Sequence, residues 1–171
     1  MSAALSMYQV SIPVFLRALQ NLRHVLEKGE VHARERDEDP ALLLQARLYD
    51  DMLPLVRQVQ IATDTAKFGA ARLAGVESPR FEDVETTFAE LYARLYAVAD
   101  YLRTFDEAAL QGSETRAVTV STRTRGELNF DGRGYLFGLA LPNLFFHVTT
   151  AYAILRHNGV PLGKLDLGPA A

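Results

Sequence analysis

The chain has no cysteine and no tryptophan, and only four histidines in 171 residues. The missing cysteine excludes a disulfide framework, a zinc–cysteine knuckle, an iron–sulfur cluster and a thiol nucleophile. Any metal must then rest on imidazole, carboxylate or amide oxygen. Excess charge of one sign is lacking too. The formal net charge is -3, too mild to mark a binder of nucleic acid or of an anionic membrane. Lysine occurs only at Lys28, Lys67 and Lys164. No run approaches the roughly 18 apolar residues of a membrane span. Residues 1–9 lack the basic start and apolar stretch of a secretory signal. There is no glycine-rich phosphate loop and no nucleophile elbow. These absences point to a cytoplasmic protein that engages neither nucleic acid nor membrane.

What is present suits one globular domain, taken as residues 1–171. The hydrophobic fraction is 49% and the charged fraction 23%, ordinary for such a domain. Ile12, Phe15, Leu16, Leu19, Leu22 and Leu26 repeat at helical spacing within 6–28, with Pro13 near the start and Gly29 as the stop. Residues 30–39, which include His32, read as a charged loop. A short apolar helix is expected over 41–48. A longer one carries Leu55, Val59, Ala62, Ala66 and Leu73, with Asp50 or Asp51 as cap and Pro54 in its first turn. Val84, Phe88, Leu91, Leu95, Val98, Leu102 and Phe105 alternate steps of four and three, a seam suited to bundle packing, with Ser78 or Asp83 as cap.

The period then changes. Residues 117–122 are rich in β-branched side chains and read as a strand, paired with 126–130. Arg123 and Arg125 beside this hairpin read as solvated. The last helix lies within 135–157, with Pro142 inside it and Asn158-Gly159 as its stop.

The histidines sort by helical face. His24 shares a solvent face with Arg17, Gln20 and Lys28. His157 falls in a last turn, where a cation suits the helix dipole. His147 differs: Phe145, Phe146 and Val148 surround it, and it shares an inward face with Ala151 and Ile154. Asn143 is one turn earlier on that face. Buried polar groups need partners, at about 1–3 kcal/mol each if left unpaired. Asn143 and His147 are therefore either core polar residues bonded within the protein or the floor of a pocket.

The run Leu141-Pro142-Asn143-Leu144-Phe145-Phe146-His147-Val148-Thr149-Thr150-Ala151-Tyr152-Ala153-Ile154-Leu155-Arg156-His157-Asn158-Gly159-Val160 resembles the closing signature of a bacterial family of unknown function, numbered nineteen ninety-three. Arg47-Leu48-Tyr49-Asp50-Asp51-Met52-Leu53-Pro54-Leu55, Gln58-Val59, Asp64-Thr65-Ala66-Lys67 and Leu128-Asn129-Phe130-Asp131-Gly132 resemble it as well. That family is similar to the DinB/YfiT-like superfamily of metalloenzymes. The resemblance implies an all-α fold: a DinB-like four-helix bundle with a long crossover, here with a small β-hairpin before the last helix, and a homodimer. It also implies a divalent metal (Ni, Zn or Mn) on one histidine of the second helix and an H-x-x-x-H pair on the last. By the spacing of His147, Arg156 and Gly159, His147 matches the last histidine of that pair. Asn143 then stands where the first should be, and Gln58 stands near the place of the third.

Amide oxygens are neutral and much poorer ligands than imidazole for zinc or nickel. The expected site Gln58, Asn143, His147 thus reads first as a small-ligand pocket left by a degenerate metal site. A divalent-metal-dependent transferase or isomerase with His147 as surviving ligand is the second reading. A dimeric structural or stress-associated protein without catalysis is the third. Asp64, six residues from Gln58, is expected to turn away from this face.

Overall fold

Proline has no amide hydrogen to give, so a helix tolerates it best in the first turn. In the computed structural model, which describes residues 5–122, 124 and 126–168, Pro13 occupies that position. Helix α1 spans Ile12–Glu35 and buries Ile12, Phe15, Leu19, Leu22 and Leu26. The expected stop at Gly29 does not occur. A Cβ there would lie 2.7 Å from Cδ2 of Leu155, so this glycine lets two helices touch instead of ending one. Arg34 pairs with Glu30 four residues earlier, and the Tyr92 hydroxyl donates to the same carboxylate at 2.8 Å. His32 accordingly lies in a helix and not in a charged loop. Arg123 and Arg125 lie outside the described residues.

A short helix α2, Ala41–Gln45, precedes α3, Leu55–Ala74. Pro54, and neither Asp50 nor Asp51, holds the cap position of α3. Gly75 ends the helix at φ +70°, a left-handed conformation that suits glycine. Helix α4 spans Phe88–Arg103. It starts later than expected because Thr87 and Glu90 form a reciprocal capping box. Val84 consequently stays outside, 68% exposed, while Leu91, Leu95, Val98 and Leu102 keep the seam.

The hairpin forms as expected. Strand β1, Ala117–Thr122, pairs antiparallel with β2, Gly126–Asp131, from Ala117↔Asp131 to Thr122↔Gly126. Val118 and Val120 point inward from β1, which packs the hairpin on the helices. Residue 132 then starts a continuous helix of 26 residues. It comprises α5, Gly132–Tyr135, a π-helical turn, Leu136–Ala140, and α6, Leu141–His157. At Gly132 a Cβ would sit 1.8 Å from the Ser113 carbonyl oxygen, so only glycine allows that backbone approach. Pro142 does not break the helix. Its ring would crowd the carbonyl four residues back in a regular α-helix, and the wider π turn directly before it relieves that conflict. Gly159, at φ +89°, ends the helix.

This helix is long and apolar enough to cross a membrane. Here Leu144, Ala151, Ile154 and Leu155 are instead fully buried in the protein core. The chain is thus mostly helical with one small antiparallel sheet. Where four helices were expected, six α-helical segments are present among the described residues, of which α1, α3, α4 and α6 are long. Their neighbouring pairs are α1–α4, α4–α3, α3–α6 and α6–α1. Helix α3 touches all three other long helices and is buried on nearly every side. Ala62, Ala66, Gly69 and Ala70 allow that close approach. Its polar residues therefore face protein, and they build both sites described next.

Candidate functional site

Gln58 lies in the first turn of α3 and is 2% exposed. Its Nε2 donates to the Leu53 carbonyl at 2.8 Å. A carbonyl only accepts, so the amide orientation is decided: Oε1 points the other way. It lies 2.7 Å from Nδ1 of His147 on α6. Burial pushes the His147 pKa down to about 4, so the ring is neutral near pH 7. A neutral ring facing an acceptor must carry its hydrogen on Nδ1. Nε2 is then left with a lone pair, and it has no hydrogen-bond partner among the described residues. Phe146 meets the ring edge-on, with centroids 5.2 Å apart.

Asn143, one turn back on α6, does not join this pair. Its Nδ2 donates to Thr65 Oγ1 at 2.7 Å. The partners of His147 and Asn143 on α3 come in reverse order, so the two helices run antiparallel. The three expected site residues thus form two contacts: Gln58 with His147, and Asn143 with Thr65. Asn143 and Thr65 also line a cavity of about 330 Å³ between α3, the hairpin and the π turn. Arg57, Arg72 and Tyr135 line it too, with Ile61, Phe68 and Leu139 as apolar wall.

A three-ligand metal site needs its donors to converge on one point. These donors diverge. Gln58 caps Nδ1, the ring nitrogen opposite the free one, so it orients the imidazole as an outer partner does and does not join it as a ligand. The Asn143 amide nitrogen is spent on Thr65. Among the described residues no group of three His, Asp or Glu side chains is placed to hold a metal ion. The donor set does not fit a tightly held transition metal.

The other side of α3 holds what the periodicity reading missed. Asp64 turns away from Gln58, as expected, and meets Lys67 Nζ at 2.9 Å and Arg94 Nη2 at 3.0 Å. Arg94 comes from α4 with its side chain 2% exposed. Nη2 also meets Asp83 Oδ1 at 3.0 Å, and Nη1 meets Glu85 Oε1 at 2.9 Å. Nη1 donates again to the Glu82 carbonyl at 3.0 Å, and Nε donates to Thr63 Oγ1 at 2.7 Å. Guanidinium has five N–H donors; four hydrogen bonds form, and Asp83 adds an ion pair. Arg57 joins through Asp83 Oδ2 at 2.5 Å. Burial alone would raise the Glu85 carboxyl, but hydrogen bonds from Gln60 and Arg94 outweigh it and hold the group below its ordinary pKa. One signal in the sequence marks this network: Arg94 sits on the apolar seam between Leu91, Leu95 and Val98, where an unpaired charge would not be tolerated.

The remaining histidines behave as surface groups. His24 is exposed and meets Asp166 Oδ1 at 2.9 Å, and His157 is exposed in the last turn of α6. Two comparisons bear on this arrangement. The model of a family described as a domain of unknown function (DUF1993) matches residues 7–167. The crystal structure of a DinB family member protein from Shewanella denitrificans is 41% identical in sequence, with a TM-score of 0.87, over 96% of this chain and 93% of that one. No curated protein matches the chain.

Proposed function

The chain belongs to the DUF1993 family, among DinB-type proteins, and from that premise we propose that it is a DinB-like four-helix bundle whose long helices frame a small-ligand pocket in place of a metal centre. The carrying observation is the cavity of about 330 Å³ onto which the Asn143–Thr65 pair faces. That volume is at the lower end of the range for small-molecule sites, about 300–1,000 Å³. Three imidazoles would be expected at Gln58, Asn143 and His147 by resemblance to the superfamily. Here two are amides, and each amide is used inside the protein. The neutral Gln58–His147 pair holds α3 against α6 and leaves the Asn143 end open.

The experiment is a nuclear magnetic resonance screen of small fragments against the labelled protein. Binding is expected to move the backbone resonances of Thr65, Tyr135 and Asn143. Shifts confined to residues remote from this cavity overturn the reading.

The metal-dependent transferase or isomerase reading has one specific support, the free lone pair of His147 Nε2. It requires near-stoichiometric Ni, Zn or Mn in protein purified without an affinity tag, lost in His147→Ala. Metal-free protein that gains no thermal stability from these ions is the outcome expected from the divergent donors.

We also propose a homodimer. Phe137, Phe145 and Phe146 leave 51%, 46% and 56% of their surface exposed on one helix, an apolar surface suited to a second copy. Light scattering should give twice the chain mass for the native protein and a smaller mass for Phe145→Asp/Phe146→Asp. A monomeric native protein removes this proposal.

A further inference from the structure

We infer that the same cavity takes a small organic monoanion, a carboxylate with a compact apolar body, and that Arg72 is its anchor. The inference rests on the pocket reading above and adds the ligand's chemical class.

Charge pairing around α3 leaves one cation over. Asp64 is matched by Lys67 and Arg94, Asp83 by Arg57 and Arg94, and Glu85 by Arg94. Arg72, which also lines the cavity, meets no carboxylate among the described residues. It is held by rings instead: its Cζ lies 5.1 Å from the Phe68 centroid and 5.6 Å from that of Tyr135. Its Nη1 donates to the Tyr135 hydroxyl at 3.0 Å. These contacts hold the guanidinium in place before any ligand arrives, which lowers the ordering cost of binding. A planar, half-buried guanidinium suits the two oxygens of a carboxylate.

Tyr135 strengthens the site. Burial raises its pKa, against the lowering effect of Arg72, so the phenol keeps its proton. Its oxygen accepts from Arg72, which leaves its hydrogen to donate. The Thr65 hydroxyl likewise accepts from Asn143 and keeps a hydrogen to give. Both groups line the cavity with Arg72. The remaining wall combines Ile61, Phe68, Val120, Leu139 and Ala140 with Thr122 and with Arg57, Asp64 and Asp83, whose charges are already matched within the protein. A single surplus positive charge balances a monoanion and leaves a phosphate dianion undercompensated. The apolar part of that wall, Ile61, Phe68, Val120, Leu139 and Ala140, suits a compact hydrocarbon body.

The test titrates hexanoate and hexanamide, alike in shape but not in charge, into the native protein, Arg72→Met and Tyr135→Phe. Resonances of Thr65 and Asn143 report binding. Hexanoate is expected to bind at least tenfold tighter than hexanamide to the native protein. Arg72→Met should erase that preference, and Tyr135→Phe, which removes one hydroxyl and no charge, should reduce it. If both compounds bind equally and Arg72→Met changes neither, the anion assignment falls while the pocket stands. If neither compound moves those resonances, the pocket reading falls with it. Should Arg72→Met fail to fold, an unchanged preference in Tyr135→Phe overturns the assignment on its own.

Discussion

Helix α3 presents two polar edges to the protein interior, and they are built on opposite plans. Toward α6 the groups are neutral and meet in pairs: amide with imidazole, hydroxyl with amide. Toward α4 the groups are charged and meet as a net, in which one guanidinium engages three carboxylates, a hydroxyl and a carbonyl. The charged edge commits its central guanidinium to five groups of the protein. The neutral edge ends in a free imidazole nitrogen and an open cavity. Paired charge here is architecture, and binding chemistry is still available at the neutral groups and at Arg72.

If that contrast is right, the largest effect comes from the charged edge. Arg94→Met leaves Glu85 without a cation, and Asp64 and Asp83 with only Lys67 and Arg57 respectively. It is expected to cost about 3–5 kcal/mol in urea unfolding, the usual loss on breaking a buried ion pair from one side. A loss under about 1 kcal/mol would break the contrast outright. The neutral edge answers to acid. Because His147 stays neutral when folded but takes a proton near pH 6.5 when unfolded, there is no penalty above that pH. The penalty grows as pH falls from 6.5 to about 4, where it levels off. It reaches about 3 kcal/mol. His147→Gln should lack this slope when unfolding midpoints are followed from pH 7 to pH 4. Smallest is the pair itself. Gln58→Leu and His147→Leu should each cost about 1–3 kcal/mol by stranding a buried partner. The double variant should cost less than their sum, because it strands neither. Additive costs would mean that the two side chains are not coupled.

Much of the fold was legible because apolar spacing reports burial directly. The seam of α4, the hairpin and the stop at Asn158-Gly159 all lie where the pattern put them. What misled were residues with two physical uses. Gly29 reads as a stop, yet it serves contact with Leu155. Asp50 and Asp51 read as caps, yet Pro54 holds that position. In the site, His147 and its inward face were legible, and its link to Gln58 followed the resemblance. The pairing of Asn143 with Thr65 was not, because it depends on the relative offset of two helices that no single helix encodes. Arg94 was visible on an apolar seam, but periodicity counts such a residue as a missing apolar position and passes over it.

The π turn at Leu136–Ala140 has a consequence for tolerance to change. In a regular helix, residues eight apart end about 80° out of phase, whereas a π turn acts as one inserted residue and takes back about 100°. Tyr135 and Asn143 are eight apart, and the turn between them brings them within about 20° of the same azimuth. The π turn, more than the identity of the residues in it, keeps both on the cavity. Deleting the exposed Gly138 would take out the inserted residue, and seven regular steps would again leave about 20° between the phenol and the amide. The pocket is therefore more vulnerable to a one-codon insertion, which adds about 100°, than to a one-codon deletion along the same stretch.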